Sequence, residues 1–440
     1  MRPGTRLRLD DSVRRRGGLL IGGSPLRLLR LGPGGTRLLD RWVAGEPLRA
    51  DERERTLARR LVDAGLLHPE PPAGLGAADV TLVVPVRDNA GGLARLLAAT
   101  PEITERIVVD DGSAEPLPGA RVRHERPEGP AAARNAGWRL AATEIVAFLD
   151  SDTVPEPGWL DAALLPQFSD SRVLAVAPRI RSTPGPGALA GYEADRSSLD
   201  LGPRAAPVRP MSRVSYVPSA ALLVRRTALA AVGGFDPALR FGEDVDLVWR
   251  LLEHGGVRYQ PAAVVRHLPR PHLWPWLRQR FEYGTSAAPL SARHPGQLSC
   301  ARLSAWSAAS WALLAAGHPL VALGLAAGST ALLPRKLPGR GVPAAESLRL
   351  AGLGHLGAGR LLAEATRRAW WPTALLSRRG RRVLLASLLP CLAESARHGP
   401  AWAALRIADD LAYGAGVWAG CARHRTLAPL LPRFTEGSLR

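Results

Sequence analysis

Three short apolar runs constrain this chain more than anything else in it. They cover residues 80–86, 107–109 and 145–149, and each ends abruptly in polar residues: Arg87/Asp88, Asp110/Asp111 and Asp150/Asp152. Helical periodicity separates them, through Leu93, Leu96 and Leu97 and then over 131–142. Apolar strands alternating with amphipathic helices predict an α/β sheet built on parallel strands. Such sheets bind ligands at the carboxyl ends of their strands. Asp150 and Asp152, two apart on an extended chain, point the same way just past such an end. That pair suits a hard divalent cation, Mg²⁺ or Mn²⁺, that keeps several waters and takes its other ligands from a diphosphate. Taken alone, Asp-x-Asp is more often an acidic turn capping the next helix, with Pro155-Glu156-Pro157 following.

The surrounding motifs decide between those readings. In order they are Val83-Val84-Pro85-Val86-Arg87, Val108-Val109-Asp110-Asp111-Gly112-Ser113, Ala133-Arg134-Asn135-Ala136-Gly137, Phe148-Leu149-Asp150-Ser151-Asp152, Gly233-Gly234-Phe235-Asp236 and Gly242-Glu243-Asp244-Val245-Asp246-Leu247. In order and spacing they resemble the family 2 glycosyltransferases. The resemblance implies a GT-A fold, a Rossmann-like nucleotide-sugar-binding domain, over 78–295, and an inverting, metal-dependent transfer from a UDP-sugar. It implies that Asp110 or Asp111 accepts the uracil N–H, that Pro85 and Arg87 floor the nucleotide site, and that Arg134 lies against the base or its phosphates. Asp152, supported by Asp150, would hold the metal, with His267 as a further ligand or simply a packed side chain. Asp244, beside Glu243 at the start of an amphipathic helix, matches the catalytic base; a helix cap is the plainer use of such a pair. Trp274, Trp276, Phe281 and Tyr283 could stack on acceptor sugars or fill a core. The processive members' Gln-x-x-Arg-Trp is replaced here by Arg278-Gln279-Arg280-Phe281-Glu282-Tyr283, which argues against long-chain polymer synthesis.

Residues 1–75 read as strands near Leu7-Arg8-Leu9 and Leu19-Leu20-Ile21, then helices over 36–43 and 49–64 ending at Gly65, with Pro69, Pro71 and Pro72 opening a linker. This winged-helix-like pattern resembles PqqD-like modules, which take a peptide as an added strand. A DNA-type winged helix or a structural lid remains open. The leading module, the segment 241–250 and the run 283–290 together are similar to a branch of the family that glycosylates a peptide-derived redox cofactor. That implies UDP-glucose as donor and β-linked glucose as product.

The formal charge of +19 is carried almost wholly by arginine, the only lysine being Lys336. It favours anionic partners without choosing among them; with the motifs above, the expected partners are a nucleotide sugar and a peptide-derived acceptor rather than nucleic acid. Cys300, Cys391 and Cys421 form no disulfide or zinc pattern, and the charged opening residues hold no apolar signal core, so the reading is cytoplasmic. In 296–440 the stretch between Arg302 and Arg335 has no titratable residue but His318, and Gly317-His318-Pro319 splits it. It predicts a tilted span, an interfacial hairpin at the inner membrane face, or a helical subdomain. A non-catalytic binding protein and a nucleotidyltransferase are the rival functions. The intact carboxylates oppose the first, and the absence of a basic Gly-rich loop after 80–86 opposes the second.

Overall fold

A computed structural model describes residues 1–336 and 342–435. By internal contacts the chain forms two units, Met1–Pro186 with Glu193–Pro269, and Gly187–Tyr192 with Arg270–Arg440. The division therefore falls earlier than the expected boundary near residue 295, because helix Leu273–Thr285 packs along helix Pro400–His424. The leading module shares the first unit with the large sheet.

In that module the strand Arg6–Leu9 pairs with Leu67–Glu70, and Arg14–Arg16, Leu19–Gly22 and Arg27–Arg30 form an antiparallel three-stranded sheet. The strands Arg14–Arg16 and Leu67–Glu70 lie outside the sequence-based expectation, since an all-arginine run and a proline-bearing segment carry no strand pattern. Helices Pro33–Val43 and Glu52–Asp63 bury Leu39, Trp42 and Leu61 against Leu20 and Leu66. The second helix starts at Glu52 because the Asp51 carboxylate accepts the N–H groups of Arg53 (2.7 Å) and Glu54 (3.4 Å), satisfying donors that have no partner in the first turn.

The core of the first unit is one nine-stranded sheet. Its order from one edge is Thr153–Pro155, Gly256–His267, Val173–Ser182, Ala221–Arg225, Ile145–Leu149, Val80–Val86, Glu105–Asp110 and Val122–Arg123, with Ala206–Pro207 paired to Gly256–His267. The last four in that order run parallel, as the alternating pattern predicts. Ala221–Arg225 runs antiparallel to both its neighbours, so the whole sheet is mixed. Residues 145–149 are fully buried. On one side of the sheet Leu82, Val84, Ala147 and Leu149 join a core that also holds Leu223 and Val265.

The second unit is helical. The apolar stretch after Arg302 forms two helices, Ala305–Ala315 and Pro319–Lys336, broken around Gly317 as the sequence suggests. No described helix is long and apolar enough to cross a membrane. Trp276 is fully buried in an aromatic cluster with Tyr192 and Trp402, whereas Trp274 is 76% exposed, so of those two tryptophans only Trp274 is available to a ligand.

Candidate active site

The carboxyl ends of Val80–Val86, Glu105–Asp110 and Ile145–Leu149 lie side by side, and the expected polar residues gather there. Asn89 fixes two of these ends. Its amide oxygen caps the helix Ala90–Ala98 at the Gly92 N–H (3.1 Å), while its Nδ2 donates to Ser151 Oγ (3.1 Å), between the two aspartates.

Asp110 is fully buried and accepts from the Ser113 N–H (2.9 Å), the Leu117 N–H (3.2 Å) and Arg123 Nη1 (2.9 Å). Burial alone would raise its pKa, but the bonds from Ser113 and Leu117 and the Arg123 charge hold it below the usual carboxylate value. Asp111 accepts from the Glu128 and Gly129 N–H groups (both 2.9 Å) and contacts His124 Nδ1 at 2.7 Å. Both carboxylates therefore shape the loop after Glu105–Asp110 with the chain's own donors. Pro85 stands half-buried on its strand, and Arg87 is exposed beside Asp88, its Nε 3.3 Å from the carboxylate.

Arg134 links the motifs to one another. It is 3% exposed, donates from Nη2 to Asp150 (2.6 Å) and from Nη1 to Glu243 (2.9 Å), and lies over the Phe235 ring at 5.4 Å. It therefore joins three motifs from beneath. The next residue completes the joint: Asn135 donates to Phe235 O (2.7 Å) and accepts from Phe235 N–H (2.9 Å). Gly137 permits this, since a Cβ there would collide with Val83 as helix Pro130–Trp138 lies on the sheet.

Gly242, at φ +79°, turns the chain into helix Glu243–His254 and sets two carboxylates on its first turn. Glu243 is pushed up to about 7 by burial and by the charge of Asp244, against the pull of Arg134. Asp244 is also raised by burial, opposed by hydrogen bonds from the Val245 and Ser219 N–H groups and by Arg134. Such a carboxyl is a stronger base than a solvated aspartate.

The expected trio of Asp150, Asp152 and His267 is not gathered at one point: among the described residues no group of three or more His, Cys, Asp and Glu converges as a metal cage. Asp150 is held by Arg134. His267, however, does reach Asp152, with Nε2 3.4 Å from Oδ2, because Thr153–Pro155 pairs antiparallel with the end of Gly256–His267 and sets Thr153 opposite His267. Against the downward push of burial, Asp152 holds the imidazole above its usual pKa. A carboxylate and an imidazole at this spacing, with Asp152 partly open to solvent, fit a cation that completes its shell from diphosphate and water.

The residues that sequence reasoning missed here are Asn89, Arg123 and His124. None has a motif signal of its own, and each acts by closing a turn around a motif carboxylate.

A nucleotide-sugar fold with an acidic strand end and a carboxylate pair on a helix N-terminus defines a class, and the relatives agree. The model for Glycosyl transferase family 2 matches residues 82–229. The chain belongs to the family 2 glycosyltransferases of GT-A fold, and within them to the mycofactocin-system branch. It is 44% identical to the pre-mycofactocin glycosyltransferase of Mycobacterium tuberculosis strain H37Rv, over 95% of both chains. It is also 30% identical, over 43% of this chain and 62% of the relative, to the succinoglycan biosynthesis protein ExoU of Rhizobium meliloti. Among solved structures, a mannosyltransferase from Pyrobaculum calidifontis in complex with GDP-Man and Mn²⁺ is similar at 17% identity and TM-score 0.38, covering 65% of this chain and 91% of that one.

Proposed function

We propose that this glycosyltransferase transfers glucose from UDP-glucose to a mycofactocin precursor, inverting the anomeric centre. The observation that carries the reaction class is the joining of Asp150, Glu243 and Asp244 around one buried guanidinium at the mouth of the sheet. The acceptor rests on the extended similarity to the pre-mycofactocin enzyme.

Asp244 acts as general base, taking the acceptor hydroxyl's proton as that oxygen attacks the anomeric carbon in line with departing UDP. Its raised pKa favours accepting that proton, and the Val245 and Ser219 N–H groups fix the carboxylate's direction. Glu243 and Arg134 position it. Asp152 with His267 would hold a divalent cation, which supplies positive charge against the diphosphate as UDP leaves. Asp150, pinned by Arg134, orients the turn that presents Asp152. Arg87 and the loop after Glu105–Asp110 border the nucleotide site. The leading module, with its edge strand Arg27–Arg30, is suited to taking an extended peptide as a further strand.

Around the basic helix Arg378–Ala386, Leu376, Leu385, Leu389 and Leu392 are exposed together with Arg378, Arg379, Arg381 and Arg382. This mixture supports peripheral contact with an anionic bilayer surface rather than a span.

The test is UDP release from UDP-glucose with Mn²⁺ and a mycofactocin-precursor acceptor, with product mass read alongside. Asp244→Asn should retain UDP binding while transfer falls by about 10²–10⁴-fold. Asp152→Ala should instead weaken UDP binding in the presence of metal. Equal loss of UDP binding in both variants would refute the separate roles.

A further inference from the structure

The first unit holds a second polar feature that the transfer reaction does not use. A cavity of about 500 Å³ opens between the leading module and the large sheet, and its ionisable side chains are Asp63, Asp170, Arg172, Arg209, His254 and Arg258. None of these takes part in the site described above.

Arg258 sits on strand Gly256–His267, in register between Val176 and Pro207, and is 9% exposed. Its guanidinium makes no hydrogen bond and no ion pair with any described residue. The two nearby carboxylates are already engaged. Asp170 meets Arg172 at 3.4 Å and the Met1 amino group at 3.3 Å, and Asp63 meets Arg172 at 3.5 Å. Arg209 is tied to the Asp63 carbonyl at 2.6 Å. Burial pushes Arg258 down to about 10, still charged at neutral pH, with Asp170 and Asp63 offsetting only part of that cost.

A buried cation left without a partner is expensive, and proteins retain one where a ligand supplies the missing charge. The planar guanidinium offers two parallel N–H donors matched to a carboxylate or a phosphate. We propose that this cavity is an anion site in which Arg258 binds a carboxylate or phosphate group, separate from the nucleotide-sugar site. Its place at the seam means that ligand binding would draw on both the module and the sheet.

The experiment follows thermal unfolding of the full-length protein at constant ionic strength, titrating inorganic phosphate in one arm and acetate in the other against chloride. Isothermal titration with the same two probes runs alongside. Wild type should show a saturable rise in melting temperature with at least one probe, and which one responds distinguishes phosphate from carboxylate ligands. In Arg258→Met, which keeps the stem but not the charge, the apparent Kd should rise at least tenfold. That variant should also melt at or above wild type in chloride, since an unpaired buried charge has been removed. A variant less stable than wild type in chloride would show that the chain's own groups already satisfy Arg258, and would overturn the proposal. So would equal responses of both proteins, which is the general effect of excluded salts, or no saturable binding by wild type in the titration, a readout that does not depend on the variant folding. Loss of glycosyl transfer in other variants bears on neither result.

Discussion

Arg134 carries more of the site than any side chain that would touch substrate. Its two Nη groups serve carboxylates from two different motifs, Asp150 at 2.6 Å and Glu243 at 2.9 Å. Removing it leaves Glu243 and Asp150 facing one another and Asp244 with no compensating charge. Arg134→Met should therefore cost about 3–5 kcal/mol in denaturant unfolding and abolish transfer. Arg134→Lys has one ammonium in place of a planar fork and cannot span both partners, so it should recover part of the stability and little of the activity. Recovery of full transfer by lysine would show that charge alone matters at this position.

At the scale of elements, helix Pro130–Trp138 is the piece that brings the motifs together, since Arg134 and Asn135 both project from it. Gly137→Ala forces that helix away from Val83. The expected loss is about 1–3 kcal/mol of stability in denaturant unfolding, with transfer falling beyond what the lost stability explains. The parallel strands and their acidic ends were legible in the sequence because a buried strand followed by carboxylates has a one-dimensional signature. The Asp150/Asp152 pair could be singled out for the same reason, and Asp244 by the motif Gly242-Glu243-Asp244-Val245-Asp246-Leu247 at the head of an amphipathic helix. The direction of Arg134 could not, because a buried salt bridge depends on what lies below the helix. Nor could the meeting of His267 with Asp152, which arises from a strand pairing that leaves no local trace. The reversed strand Ala221–Arg225 was likewise hidden, since strand direction is set by its connections and not by its composition. In the tail, the break at Gly317 was legible, but whether the apolar helices on either side meet lipid or each other is not encoded in hydropathy alone.

At the scale of the whole first unit, the leading module is fastened to the sheet domain by an ion pair between the buried Asp10 and the partly exposed Arg213. Arg213 donates to both oxygens of Asp10, at 2.9 and 3.2 Å, while His68 contacts the same carboxylate at 2.8 Å. Burial alone would raise the Asp10 pKa, but the bonds from His68, Arg213 and Ser12 outweigh it and hold the carboxyl far below its usual range. A depressed folded-state pKa contributes stability that is fully present above the unfolded value, about pH 4, and is lost as the pH falls further. Wild type should therefore lose stability steeply below about pH 4. Asp10→Asn should start about 3–5 kcal/mol lower at neutral pH and show a shallower acid dependence; an unchanged acid limb in that variant would assign the dependence to other carboxylates. In the second unit, co-sedimentation with anionic vesicles should fall when Leu385 and Leu389 are both changed to Ser, and binding that survives this change would remove the bilayer reading.

The Asp10–Arg213 clasp has one more consequence. A module on a free tether would search a volume and present its cargo at any angle, whereas one locked by bidentate hydrogen bonds works as a ruler. On the proposed peptide-binding role, a peptide gripped there would be held at a fixed offset from the sheet, so the position that receives sugar would be chosen by counting along the chain. Lengthening the peptide between grip and acceptor by a few residues should then move the sugar to a different residue or slow its attachment, and the enzyme would need no side-chain readout at the transfer site itself.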